Sequence, residues 1–140
     1  ALNRALEGVV GTTAVHICFG YAAVIHVRPS GYSFLPELAG CRCHQVSIET
    51  AQSNLDCQVL EGLKDKQIMV GCIDLNDMEI ETPGAVAARI RKALRYLRSE
   101  DVILAPDCGM KYLPREVADG KLRSMVAAAK LLRAEFGSRT

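Results

Sequence analysis

A chain of 140 residues, 49% of them hydrophobic, is long enough for one domain with a substantial core and too short for two. Its 17 basic and 16 acidic side chains nearly cancel and neither sign forms a block, which argues against a nucleic-acid tract or a polybasic membrane segment. No apolar run approaches the ~18 residues of a bilayer span, and no basic segment followed by an apolar stretch opens the chain, so it reads as cytoplasmic.

Leu2, Ala5, Leu6 and Val9 stand at helical spacing, so the chain opens inside a helical pattern with Ala in first place, and further sequence is expected before it. Thr12 to Cys18 is rich in β-branched residues and reads as a strand. After Pro29-Ser30-Gly31, residues Phe34 to Leu38 suit a short helix, and Gln45 to Glu49 a second strand. Leu55, Val59, Leu60 and Leu63 mark one face of a helix, and Ile68 to Asp74 form a third strand. Thr82 is placed to cap a helix with Pro83 in its first turn, and Val86, Ile90, Ala93, Leu94 and Leu97 share its apolar face as far as Arg98. Val102 to Ala105 is the fourth strand. From Arg115 to Phe136 a last amphipathic helix presents Leu122, Met125, Val126, Ala129 and Phe136, and Gly137 closes it.

Apolar strands separated by helical sequence predict an α/β fold, with a parallel sheet either covered on both sides or curved into a barrel. In both geometries the strand carboxyl ends gather on one rim, where sites in such folds are found. That rim would hold His16, Cys18, Glu49, Asp74 and Cys108. His16 and Cys18 are two apart and face the same way on a strand. An imidazole, two thiols and a carboxylate brought to one metal suit zinc. Taken singly, each thiol has an ordinary packing explanation, and a strand-end histidine is more often a hydrogen-bonded polar residue than a ligand.

Six cysteines in an aliphatic, periodic chain are read as reduced thiols rather than three disulfides. Cys41-Arg42-Cys43-His44 holds two thiols and an imidazole, but it precedes a strand, at the end away from the rim, and is read as a structural connection. Cys57 and Cys72 are read as packing residues, and His26 receives no role.

His16-Ile17-Cys18, Val46-Ser47-Ile48-Glu49, Pro106-Asp107-Cys108-Gly109 and Met125-Val126-Ala127-Ala128-Ala129-Lys130 together resemble the C-terminal catalytic domain of cobalamin-independent methionine synthases. The resemblance covers nearly the whole chain, in order. It implies the C-terminal half of a (β/α)8 TIM-type barrel, with residues 1–140 as one half-barrel domain. It also implies zinc held by His16, Cys18, Glu49 and Cys108, and methyl transfer from methyltetrahydrofolate or its polyglutamate to homocysteine or another thiol. Where the family has Asp-Ile-His-Ser, with a histidine that assists proton delivery, this chain has Asp74-Leu75-Asn76-Asp77. Asn76 is no general acid of comparable strength, which leaves either Asp77 as the substitute there or a different methyl donor. A half-barrel further implies an N-terminal half as partner, self-association, or a non-catalytic zinc-binding role, because it leaves two sheet edges open.

Overall fold

The computed structural model describes residues 1–20 and 32–137, so His26 and the Pro29-Ser30-Gly31 turn lie outside the described residues. Four parallel strands, β1 (Ala14–Ile17), β2 (Gln45–Ile48), β3 (Gln67–Ile73) and β4 (Val102–Pro106), lie in sequential order. Ala14, Gln45 and Gln67 share one row, and Ile68 stands beside Val102. Crossovers between parallel strands have one hand. A sheet that grows in one direction therefore carries its connections on one face, as in a barrel and unlike a doubly wound sheet that reverses.

That covered face holds the core: Val46 and Ile48 of β2 and Ile68, Val70 and Cys72 of β3 are buried against Val86, Ile90 and Ala93 of α3 (Pro83–Ala93). The outer strands are less covered: residues of β1 alternate between exposed and half-buried, and those of β4 are half-buried throughout. A groove of about 1130 Å³ runs beside β4, lined by Leu94, Leu97, Leu104, Met125 and Phe136 among others.

Several elements differ from the sequence reading for local physical reasons. α1 is only Leu2–Ala5, because the chain turns at Gly8 with φ at 78°, a left-handed conformation that glycine adopts freely. Leu35–Ala39 forms the expected short helix, α2. The segment Cys57–Leu63 is a 3-10 helix, capped by Asp56 accepting from the Gln58 N–H. With three residues per turn it buries Cys57, Leu60 and Leu63, while Val59, expected on the apolar face, is exposed. Thr82 does cap α3, its Oγ1 accepting from the Ala85 N–H at 3.2 Å. The helix stops at Ala93, short of Arg98.

The last helix, α4, runs Arg115–Phe136 as expected, and Met125 and Phe136 of its predicted stripe pack against the core, but its fully buried positions are others. Lys121, Ser124, Ala128 and Leu132 face inward, whereas Leu122 and Val126 are exposed. A buried ion pair, described below, turns the helix to this face.

Candidate metal centre

The carboxyl ends of β1, β2 and β4 bring the chemistry together. His16 and Cys18, two apart at the end of β1, and Cys108, just beyond β4, have donor atoms within 4.8 Å of one another. The Cys18 and Cys108 sulfurs are 3.5 Å apart, close to the ~3.8 Å edge that two ~2.3 Å zinc–sulfur bonds span at tetrahedral angles. His16 Nδ1 is hydrogen-bonded to Ser47 Oγ at 2.9 Å, across the β1–β2 register that pairs the two residues. That bond orients the imidazole and leaves Nε2 for a metal, the arrangement that metal-bound histidines favour.

Glu49 follows β2 and is fully buried, with one carboxylate oxygen accepting the Phe19 N–H at 3.3 Å. It stands outside the close set formed by His16, Cys18 and Cys108. Its charge nevertheless reaches that set. Burial raises the Cys108 thiol above its ordinary pKa, the Gly109 N–H opposes this, and Cys18 and Glu49 add to the rise. These neighbours thus favour the protonated Cys108 thiol, and a divalent ion is the partner that would release its proton. The donor set fits zinc in type and in sulfur spacing.

Asp74, the remaining rim residue, uses Oδ1 to accept the Asn76 N–H at 2.8 Å. Asp77 likewise accepts the Glu79 N–H at 2.9 Å, and both Asn76 and Asp77 are exposed on the loop after β3. None of the three joins the metal-compatible set.

The other thiols behave as packing residues. Cys41 and Cys43 are buried, and the Lys66 ammonium donates to their carbonyls at 2.5 and 3.1 Å. His44 Nδ1 accepts the Thr13 N–H, closing the end of the sheet opposite the rim. Burial, with Asp107 adding its charge, pushes the Cys72 thiol up to about 12, and burial also raises Cys57.

Two groups of buried charge were not picked out from the sequence. Asp107 stands in the sequence only as a member of Pro106-Asp107-Cys108-Gly109, yet it is fully buried and accepts three backbone N–H groups, from Thr50, Ala51 and Gln52. Burial raises its carboxyl to about 6, opposed by the N–H groups of Gln52 and Ala51 and reinforced by Glu49. Lys121, a cation in an amphipathic helix, gave no sign of being buried. Its distant partners explain it: the Glu81 carboxylate at 2.7 Å and the Asp74 carbonyl at 3.0 Å.

The comparisons with known proteins agree with this geometry. The family model described as "Cobalamin-independent synthase, Catalytic domain" matches residues 15–131. The methionine synthase of Sulfurisphaera tokodaii is 33% identical over 137 residues, which are 97% of this chain and 38% of that protein. That of Saccharolobus islandicus strain L.S.2.15 is 38% identical over 141 residues, 97% of this chain and 39% of its own length. A B12-independent methionine synthase from Shewanella sp. W3-18-1, solved in complex with selenomethionine, superposes with a TM-score of 0.86 at 31% identity. The superposition takes in 98% of this chain and 43% of that one, so the four-stranded sheet corresponds to part of the larger protein. The strand-end residues and these matches together place the chain in the catalytic-domain family of cobalamin-independent methionine synthases.

Proposed function

We propose that this chain supplies the metal-binding half of a zinc-dependent thiol methyltransferase, which moves a methyl group from methyltetrahydrofolate or its polyglutamate to homocysteine and yields methionine. The observation that carries the reading is the meeting of His16, Cys18 and Cys108 within 4.8 Å at the strand ends of a chain from this family. The selenomethionine bound by the Shewanella protein, a selenium counterpart of the proposed product, supports the same substrate class.

In this reading His16, Cys18, Glu49 and Cys108 are the ligands. Bound zinc supplies a Lewis acid that lowers the pKa of a substrate thiol toward neutrality. The protein's own groups decide whether the acceptor sulfur stays nucleophilic. The thiolates of Cys18 and Cys108 and the carboxylate of Glu49 outweigh the charge of a divalent ion, so the acceptor keeps its electron density. Glu49, the hardest of the four donors, would be the one to give way to a substrate thiol. The Phe19 N–H already stands as a partner for its carboxylate. Asn76 holds no titratable proton, so the leaving folate nitrogen draws its proton from Asp77 or from a group outside this chain.

The chain spans 38% and 39% of the two relatives' lengths, and among the described residues β1 and β4 are the outer strands, each paired on one side, where the rest of a barrel would add. The proposed partner is a first half-barrel, or a second copy of this chain. It would cover those edges and the groove beside β4, and it would complete the pocket.

Metal analysis tests the first step. The purified chain is expected to hold about one zinc, lost in Cys18→Ser and Cys108→Ser. A folded wild type without zinc overturns the reading. Methyl transfer to homocysteine, assayed with and without a candidate first half, tests the second step. A structural zinc site is the alternative, favoured by Asn76 and by a set of four protein donors. Bound zinc with no turnover in either assay selects it.

A further inference from the structure

Asp107 is a buried carboxylate that the proposed chemistry leaves without a part. Its Oδ1 accepts the N–H groups of Thr50 at 3.3 Å and Ala51 at 3.1 Å, and its Oδ2 accepts that of Gln52 at 2.6 Å. The turn it holds begins one residue after Glu49, and Asp107 itself precedes Cys108. Yet β2 and β4 are not neighbours: β3 lies between them, so no ladder bond joins their tips.

The intervening strand is shaped to let this contact through. A Cβ added at Gly71 would overlap the Asp107 carboxylate and would lie 2.9 Å from both Asp107 Cα and the Ile48 carbonyl oxygen. The β3–β4 register shifts between Gly71 and Ile73, at the point where Asp107 turns inward. Thr50 Oγ1 adds a bond of its own to the Gly71 carbonyl at 2.6 Å. All three partners of Asp107 are donors. A carboxylate meets them with acceptors only, whereas a carboxamide would have to turn its NH₂ toward one of them.

We propose that Asp107 is a positioning residue for the metal centre, its carboxylate clamping the Thr50–Gln52 turn to the tip of β4 and so setting Glu49 against Cys108 before a metal arrives. The inference rests on the zinc reading above. Groups that orient ligands commonly change metal affinity by about 10- to 100-fold when removed.

The test uses the full chain and compares Asp107→Asn with Glu81→Gln. The latter disturbs a buried charge whose bonds go to Asp74, Arg89 and Lys121, not to the ligands. Zinc affinity is measured by chelator competition, and site geometry by the visible spectrum of the cobalt(II) form. Asp107→Asn is expected to weaken zinc at least about 10-fold and to alter the cobalt spectrum, while Glu81→Gln lowers stability and changes neither. Equal affinity and spectrum in Asp107→Asn, or an equal loss in Glu81→Gln, overturns the clamp.

Amide hydrogen exchange on the wild type decides the matter if Asp107→Asn does not fold. Because coupling is reciprocal, zinc should slow exchange at Thr50, Ala51 and Gln52. Exchange there that is indifferent to zinc overturns the proposal. A wild type that takes no zinc overturns the zinc reading and the clamp together, whereas zinc bound equally by both proteins removes the clamp alone.

Discussion

The Lys121 ammonium, with no exposure to solvent, lies 2.7 Å from the Glu81 carboxylate and so ties α4 to the loop between β3 and α3. Around this pair Arg89 donates to Glu81 at 2.8 Å and to the Cys72 carbonyl at 2.9 Å, and the Asp74 N–H donates to Glu81 at 2.9 Å. Lys121 also reaches the Asp74 carbonyl at 3.0 Å, and the Ser124 hydroxyl donates to the Glu81 carbonyl. The loop that leaves β3 is thereby held at both ends.

Removing one partner of such a pair strands the other in a dry site. Lys121→Met is expected to destabilise the fold by about 3–5 kcal/mol, read from urea unfolding. The double variant Lys121→Met/Glu81→Gln should recover a substantial part of that loss. If the double variant is as unstable as the sum of the single changes, the pair is not coupled as described.

The same pair predicts an acid limb. Burial alone would raise the Glu81 pKa, but hydrogen bonds from Lys121 and Arg89 and from the Asp74 N–H outweigh it and hold the carboxyl below its ordinary value. A depressed carboxyl contributes in full above its unfolded pKa of about 4.3, and the contribution is lost as pH falls through the lower folded value. Asp107 acts in the opposite sense: its pKa is raised to about 6, so its contribution is present at low pH and lost as pH rises through that value. The difference between wild type and Glu81→Gln cancels the Asp107 effect. Urea midpoints measured between about pH 3 and pH 7 should show that difference shrinking on the acid side; a constant difference would sink the assignment.

Gly71→Ala addresses the crowding where β2, β3 and β4 converge. The obstructing atoms include backbone, the Asp107 Cα and the Ile48 carbonyl at 2.9 Å, so they do not swing aside as a flexible side chain would. The expected loss is at the upper end of the ~1–3 kcal/mol usual for overpacking. Chemical denaturation measures it, and a neutral Gly71→Ala would mean that the strands have room to spare.

Ser47→Ala tests the orientation of His16. The 2.9 Å bond to Nδ1 is lost at a half-exposed position, so thermal unfolding should shift little. Zinc affinity, if His16 binds through Nε2, should fall by about 10-fold. Unchanged affinity would show that Ser47 does not orient the ligand.

What the sequence alone determined about this protein is local. Thr82 and Pro83 start α3 because a hydroxyl and an imino acid suit the first turn of a helix wherever it is found. His16 and Cys18 share a face because strand side chains alternate, and parallel strands separated by helical sequence gather their carboxyl ends on one rim. Only the tertiary structure decided that Cys57–Leu63 winds three residues to the turn, which exposes Val59. It alone turned Lys121 inward in place of Leu122, because Glu81, 40 residues away, offers the ammonium its counter-charge. It alone gave Asp107 three amides from the turn that follows a non-adjacent strand, through the space left by Gly71. Propensity and periodicity act between near neighbours and are written in residue order. Burial and charge pairing depend on what the fold brings alongside, which residue order does not state.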